Sequence, residues 1–363
     1  MDEIERIIEG CMECNLCVSD CEFLKKYCDS PKDLARMFKD SYLREKPEIA
    51  YSCNICNLCE VICPEDLNVG EMCILMRQRL VKEGLGPLPQ HQPVKRTQEF
   101  VLSDAFHLAQ PDPKTGKCER VFFPGCSLSG YSPSLVVSSY RYLQERLANT
   151  GIILGCCGDP NYSLGEESIF EEIVAQIKKD MEKLGASEMI VACPACYRRL
   201  KENVPEIKLK SIYEVIAELG LPAGIKTEDW SFSLHDSCPT RYEKDLQENV
   251  RALIIKMGYG IEEVEYSRDK TRCCGMGGMV PFADFDLAAK ITQRRIDEFQ
   301  FDILTYCAAC REAFAIDKPA VHVLDLIFNP DWKETRLTPP KTGRKRREAQ
   351  SQTKSLLMKL MGT

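Results

Sequence analysis

Over residues 118–335, short apolar runs alternate with longer stretches of helical spacing, the pattern of βα units around a mainly parallel sheet. The pattern occurs twice. In the first copy Val121, Phe122 and Phe123 predict a strand that ends in Pro124-Gly125-Cys126, and Val136, Tyr140, Leu143 and Leu147 follow at helical spacing. Ile152, Ile153 and Leu154 predict a strand closed by Cys156-Cys157-Gly158. A helix face of Phe170, Val174, Ile177, Met181 and Leu184 leads to the strand Met189–Val191 and then Cys193 and Cys196. The second copy keeps this order. Phe232–Leu234 leads to Cys238, and Leu246, Val250, Leu253, Ile254 and Met257 share a helix face. A strand around Val264 precedes Cys273-Cys274-Gly275. Leu287, Ile291 and Ile296 mark a helix, and Ile303–Thr305 leads to Cys307 and Cys310. Matched cysteines lie 112 to 117 residues apart. The expected units are 118–222 and 223–335, packed about a pseudo-two-fold axis that brings equivalent sites together.

The flanks differ. Residues 1–83 hold ten cysteines. Residues 84–117 carry Gly84, Gly86, Pro87, Pro89, Pro93, Pro111 and Pro113, which reads as a linker or crossing segment. Residues 336–363 combine the basic run Lys341, Arg344, Lys345, Arg346 and Arg347 with a short apolar stripe of Leu356, Leu357, Leu360 and Met361. That stretch reads either as a frayed, solvated tail or as a helix that docks on a partner or an anionic membrane surface.

Composition narrows the class. The chain has 363 residues, 44% hydrophobic and 28% charged, which is a globular composition long enough for two or three domains. Its net charge of −7 argues against nucleic-acid binding. No run approaches the roughly 20 apolar residues that span a bilayer, and MDEIERIIEG lacks an apolar signal core, so a cytoplasmic location is expected. In that reducing compartment 21 cysteines point to metal or redox chemistry rather than disulfides.

Cys11, Cys14, Cys17 and Cys21 have the spacing C-x2-C-x2-C-x3-C. Cys53, Cys56, Cys59 and Cys63 repeat it and add Pro64. This is the spacing of bacterial two-cluster ferredoxins, in which the fourth cysteine serves the other cluster. The assignment is Cys11, Cys14, Cys17 and Cys63 for one cubane [4Fe–4S] cluster and Cys53, Cys56, Cys59 and Cys21 for the other. Glu22 stands where a proline often follows the fourth cysteine; proline there is a turn preference, not a ligand. Two complete four-cysteine runs fit zinc poorly. An α-helical ferredoxin-like domain is therefore expected ahead of the α/β units, serving as an electron relay between a donor and an acceptor.

Ten more cysteines form two sets of five: Cys126, Cys156, Cys157, Cys193 and Cys196, then Cys238, Cys273, Cys274, Cys307 and Cys310. Each group falls at the end of an expected strand, where open α/β sheets place their ligands. Adjacent cysteines can touch one multi-iron object only if the backbone turns sharply, which Gly158 and Gly275 permit. Gly277 and Gly278 add room in the second copy.

On these motifs, and on the strings FFPGCSL, CCGDP, HDSC and CCGMGG, residues 10–330 resemble the heterodisulfide reductase family, in the form whose single iron–sulfur chain fuses ferredoxin-like and duplicated Cys-Cys-Gly domains. The resemblance implies a noncubane [4Fe–4S] cluster on each five-cysteine set. It implies that the two clusters face each other and cleave a disulfide, or oxidise two thiols, with electrons relayed from the cubanes. Two iron sites flanking the S–S bond capture one sulfur each, so no thiyl radical escapes, and iron suits thiolate. In methanogens the family reduces the mixed disulfide of coenzyme M and coenzyme B. Relatives that lack some of these cysteines serve as electron-transfer subunits of flavin dehydrogenases, so a non-catalytic relay to quinone or another carrier is the alternative.

No GxGxxG follows a strand and no Walker A string occurs, so a separate subunit is expected to exchange electrons: a flavoprotein, a hydrogenase or a membrane cytochrome. A small disulfide or thiol is the expected substrate. His235 reads as a proton donor to a leaving thiolate or as a strand-end histidine with satisfied hydrogen bonds. Arg198, Arg199 and Arg311 read as holders of an anionic substrate or as a solvated helix face. Cys28, Cys73 and Cys118 lie outside every set and read as buried structural thiols, with Cys118 the best candidate for a surplus redox thiol.

Overall fold

Nine strands among the described residues form two sheets. Apolar runs buried on both faces make the inner parallel strands, as covered sheets require. The computed structural model describes residues 1–40, 42–225 and 229–362. The first sheet contains β1 (Leu108–Gln110), β2 (Arg120–Phe123), β3 (Thr150–Leu154), β4 (Glu188–Val191) and β5 (Lys208–Ser211), in the order β1-β3-β2-β4-β5. The second contains β6 (Ser231–His235), β7 (Gly260–Glu262), β8 (Asp302–Thr305) and β9 (Ala320–His322), in the order β7-β6-β8-β9. The four parallel strands of each unit thus repeat one order, and β1 is an antiparallel addition on β3.

Helices between the strands begin where the sequence provides caps. Ser132 accepts from Leu135 N with Pro133 at the first turn, and Asp284 accepts from Leu287 N. One apolar core runs through both units, from Phe122 and Ile152 through Tyr213 and Leu234 to Leu304 and Trp332. The unit contacts are reciprocal. The helix Cys126–Tyr131 packs on Ala308–Phe314, and the Cys238–Thr240 turn packs on Pro194–Asn203. The described residues of 1–83 are mostly helical, with their own core of Ile4, Ile7, Phe23, Leu24 and Met72. That core extends to Leu164 of the first unit and to Val280 and Leu287 of the second.

Three expectations need correction, and two strands went unforeseen. The segment 84–117 is not a bare linker: it holds the helix Gln92–Leu102, started by Pro93, and strand β1. The strand expected around Val264 is β7, which ends at Glu262; Val264 is buried just beyond it. Strands β5 and β9, short and less apolar, escape the pattern. The basic tail is not frayed. The helix Gly343–Met361 lies on Cys126–Tyr131 and Pro133–Arg146, with Leu357 fully buried and the Thr353 hydroxyl donating to Ser129 O at 2.9 Å.

Candidate metal centre

The loops at Cys11–Cys17 and Cys53–Cys59 share a backbone device. Glu13 and Asn15 in the first, and Ile55 and Asn57 in the second, are all left-handed, with φ of 57°, 61°, 53° and 59°. Alternating left-handed residues coil each loop tightly, so its thiols converge. Cys11, Cys14, Cys17 and Cys63 line one cavity of about 20 Å³, and Cys17, Cys21, Cys53, Cys56 and Cys59 line another of about 60 Å³. The electrostatics divide the same way. Burial, then Cys63, Cys11 and Cys14, push the Cys17 thiol up to about 11. Burial, then Cys53 and Cys56, raise Cys21, and Cys59 is raised by burial and by Cys56, Cys53 and Cys21. Clustered buried thiols ionise only when a cation compensates them, so this donor set fits iron.

Each five-cysteine set forms an unbroken chain of sulfur contacts: Cys126 to Cys156, on to Cys157, Cys196 and Cys193, and Cys238 to Cys273, on to Cys274, Cys310 and Cys307. The second cysteine of each pair ionises most readily. Hydrogen bonds from Cys156 and Cys196 pull Cys157 down to about 6, and those from Cys273 and Cys310 pull Cys274 down to about 6. Gly158 (φ 80°) and Gly275 (φ 93°) take the left-handed turn that follows each pair, and their N–H groups donate to Cys156 and Cys273 sulfur at 3.4 and 3.3 Å. A Cβ on Gly125 would lie 3.0 Å from Cys196 Sγ, so the glycine lets Cys126 approach the Cys193–Cys196 pair.

The second unit is fastened to the ferredoxin-like region. Cys56 interacts electrostatically with Cys238 and Cys273. Arg241 donates from Nε and Nη2 to Cys56 O at 3.0 and 2.9 Å, and Asn54 Nδ2 donates to Gly275 O and Gly277 O at 2.9 and 3.0 Å. A Cβ on Gly278 would come within 2.2 Å of Cys53 O. The room left by Gly277 and Gly278 is therefore filled by the Cys53–Asn54 backbone. Arg77, fully buried, donates to Ala50 O, Cys53 O, Ser163 O and Gly278 O and so joins all three parts of the chain.

Residues 10–68 match the 4Fe-4S dicluster domain family, and residues 120–201 and 232–315 each match the cysteine-rich (CCG) domain family. The chain is 25% identical to a subunit of the dihydromethanophenazine:CoB–CoM heterodisulfide reductase of Methanosarcina mazei, over 82% of this chain and 81% of that protein. Domains and relatives together mark it as similar to the heterodisulfide reductase family. It is also 25% identical to a subunit of the fumarate reductase (CoM/CoB) of Methanothermobacter marburgensis, over 84% of this chain and 67% of that one. Similarity to the EtfAB:quinone oxidoreductase of Syntrophomonas wolfei, 26% identical, covers 54% of this chain and 31% of that protein. The matched domains and relatives support an iron–sulfur oxidoreductase with 4Fe-4S and CCG domains.

The string HDSC divides its tasks. Asp236 is buried, pairs with Arg251 at 2.7 Å and accepts from Tyr306 Oη and Arg268 N, which fixes the turn before Cys238. Ser237 Oγ lies 3.9 Å from Cys310 Sγ. His235 is fully buried, and its ring lies with Cys274 and Cys310 so that the three ligating atoms fall within 4.8 Å of one another. Burial and the Arg295 cation hold His235 well below its ordinary value, so it is neutral at pH 7 and carries no imidazolium proton to give. It is not a satisfied strand-end histidine either, because Nε2 has no hydrogen-bond partner.

The three arginines separate. Arg199 is held by Asp159 at 2.9 Å and Glu202 at 2.6 Å over the Tyr162 ring, and Arg311 is fully buried on Ala320 O and Thr335 O. Both are structural. Arg198 lines a cavity of about 220 Å³ with Lys201, Cys238 and Arg241, and its buried Nε has no partner. Cys118 is a packed thiol that donates to Arg120 O at 3.2 Å, not a surplus redox group. Cys73 sits against Cys53, and Cys28 donates to Leu24 O at 3.5 Å. Two contributors were not read as site residues from the sequence. From the C-terminal helix, Arg346 Nη2 donates to Ser127 Oγ at 2.9 Å and Gln350 Nε2 to Cys126 O at 2.9 Å, so the basic run walls the first set. Only the apolar stripe after that run hinted at a docked helix.

Proposed function

We propose that this chain reduces a disulfide to two thiols, or runs the same couple in reverse, at the paired five-cysteine sets. Cys11, Cys14, Cys17 and Cys63 hold one cubane cluster, and Cys53, Cys56, Cys59 and Cys21 the other. Cys126, Cys156, Cys157, Cys193 and Cys196 hold one noncubane cluster, and Cys238, Cys273, Cys274, Cys307 and Cys310 the second, related by a pseudo-two-fold axis. When bound, the clusters supply electrons singly, and two electrons with two protons convert one disulfide into two thiols. The observation that carries this reading is that both sets are complete and each is continuous in sulfur contacts.

The chain's own groups supply the rest. Proximity of Cys56 to Cys238 and Cys273 supports entry of electrons through the second unit. Arg198, whose buried Nε has no other partner, binds the anionic end of the disulfide or thiol in the cavity beside Cys238. Cys14 is exposed between exposed Met12 and Leu16, an edge suited to a separate redox subunit: a flavoprotein, a hydrogenase or a membrane cytochrome. No helix among the described residues is long and apolar enough to cross a membrane. The likeness to an EtfAB:quinone oxidoreductase supports the second reading, a relay that passes electrons without cleaving a disulfide.

Iron and acid-labile sulfide on anaerobically reconstituted chain test the choice. About 16 irons per chain, with dye-driven reduction of a disulfide, is the expected result. About 8 irons with only cubane-type signals would leave the relay reading in place.

A further inference from the structure

We propose that His235 donates a hydrogen bond to the sulfurs of the second five-cysteine set and holds that site at a higher reduction potential than the first. The inference rests on the four-cluster reading above and adds an asymmetry within it.

The tautomer follows from geometry. Arg295 Nε lies 3.2 Å from His235 Nδ1, and a guanidinium only donates. Nδ1 is therefore the acceptor, and in the neutral ring the proton sits on Nε2. Arg295 is fixed in turn by Glu298 and by the Phe299 ring at 4.5 Å. The imidazole is wedged edge-on against Phe314, with centroids 4.8 Å apart, and against Phe299 at 6.2 Å. It cannot turn away. Its Nε2–H is buried and has no partner, and one nitrogen of the same ring lies in a 4.8 Å cluster with Cys274 Sγ and Cys310 Sγ. A buried donor without an acceptor is costly, and the sulfurs of the set are the acceptors at hand.

The matched position in the first unit is Phe123, three residues before Cys126 as His235 is three before Cys238. Phe123 is fully buried and has no N–H to give. Hydrogen bonds to sulfur stabilise the more negative, reduced state of an iron–sulfur centre and raise its potential. The second site, which also adjoins Cys56, is then the one that fills first. His235 acts through the ligand sulfurs and is a positioning residue.

The test is an anaerobic potentiometric titration followed by paramagnetic resonance, on reconstituted full-length wild type, His235→Phe and His235→Gln. His235→Phe copies the first unit, and His235→Gln keeps an N–H. The expected result is a downward shift of one non-cubane midpoint in His235→Phe, by at least tenfold in its reduction equilibrium, about 59 mV for one electron. Glutamine should restore most of it, and the cubane midpoints should not move. Equal midpoints at equal iron content would overturn the proposal. Should His235→Phe load fewer irons, electron–nuclear double resonance on wild type labelled with 15N-histidine decides. Coupling of the cluster to an exchangeable N–H of histidine is expected, and its absence overturns the proposal. About 8 irons in the wild type would instead overturn the four-cluster reading beneath it.

Discussion

In the second unit the loop Cys273–Gly278 lies against Cys53 and Asn54 of the ferredoxin-like region. In the first, the backbone around Cys126 is walled by the helix Gly343–Met361. The strand order, the cysteine array and the left-handed glycines are the same in both. What differs is what touches the array: His235, Arg241 and Cys56 on one side, and Phe123, Arg346 and Gln350 on the other. A duplicated scaffold keeps its ligands, which the metal dictates, and diverges in the neighbours that set potential and access.

Ligand removal tests the shared part. Cys157→Ser and Cys274→Ser should each empty their own set and abolish disulfide reduction, exceeding the roughly 10–100-fold that changes around a metal site cost. If one variant kept full turnover, the units would not act as a pair. Electron arrival sharpens the difference: with a protein donor, Cys274→Ser should also stop rapid reduction of the first set, whereas Cys157→Ser should leave the second reducible. Equal behaviour in stopped-flow traces would break the proposed order.

Arg77→Met addresses the fastening of the second unit. It strands four buried carbonyls, each costing about 1–3 kcal/mol, so a large fall in the urea midpoint is expected, and Arg77→Lys should not rescue a fork-shaped set of donors. An unchanged midpoint would show that the clamp carries no weight. Leu357→Ala tests the covering of the first unit. Truncating this fully buried side chain should cost about 2–5 kcal/mol and speed hydrogen exchange across residues 343–361. Exchange that speeds up equally in the second unit would mean the helix supports both.

The smallest effect is acid sensitivity of the seam. Asp20 pairs with Arg272 at 2.5 Å and Arg294 at 3.1 Å, and Glu22 with Lys290 at 2.7 Å and Arg294 at 3.0 Å. Burial works to raise Glu22, but Lys290 and Lys25 outweigh it and hold it down from 4.5 to about 2. A carboxylate lowered on folding stabilises fully above its unfolded value and loses that contribution as pH falls toward the folded one. From pH 7 to pH 4 the urea midpoint should therefore fall more in the wild type than in Glu22→Gln. Parallel falls would remove Glu22 from the account.

The parts legible in the sequence are those where chemistry or steric need fixes a residue type. Cysteine spacing located both loops and both sets, apolar runs located β2, β3, β4, β6 and β8, and Gly158 and Gly275 marked real left-handed turns. The rest depends on tertiary partners. Arg77, in MRQRL, looks like any solvated helical arginine until Ser163 and Gly278 arrive. The C-terminal helix buries Ala349, Gln350 and Thr353, none of which reads as core. Proline in 84–117 suggested a break, but Pro93 sits in a first turn, where it starts a helix instead. Arg198, Arg199 and Arg311 were indistinguishable by pattern, and only burial and partners separate them.

Strand β1 has a consequence for how the protein avoids sticking to itself. It pairs along β3 and closes that border of the first sheet with backbone hydrogen bonds. The matching border, β7, pairs with no such added strand among the described residues, and an open border invites a strand from another molecule. Here it is only three residues long. It ends at Glu262 and is followed by Glu263, whose carboxylate is tied to Arg251. The two borders guard against intermolecular pairing by different means, one by added chain and one by brevity and charge. Deleting residues 108–110 should therefore favour aggregation during assembly even where every cysteine is intact.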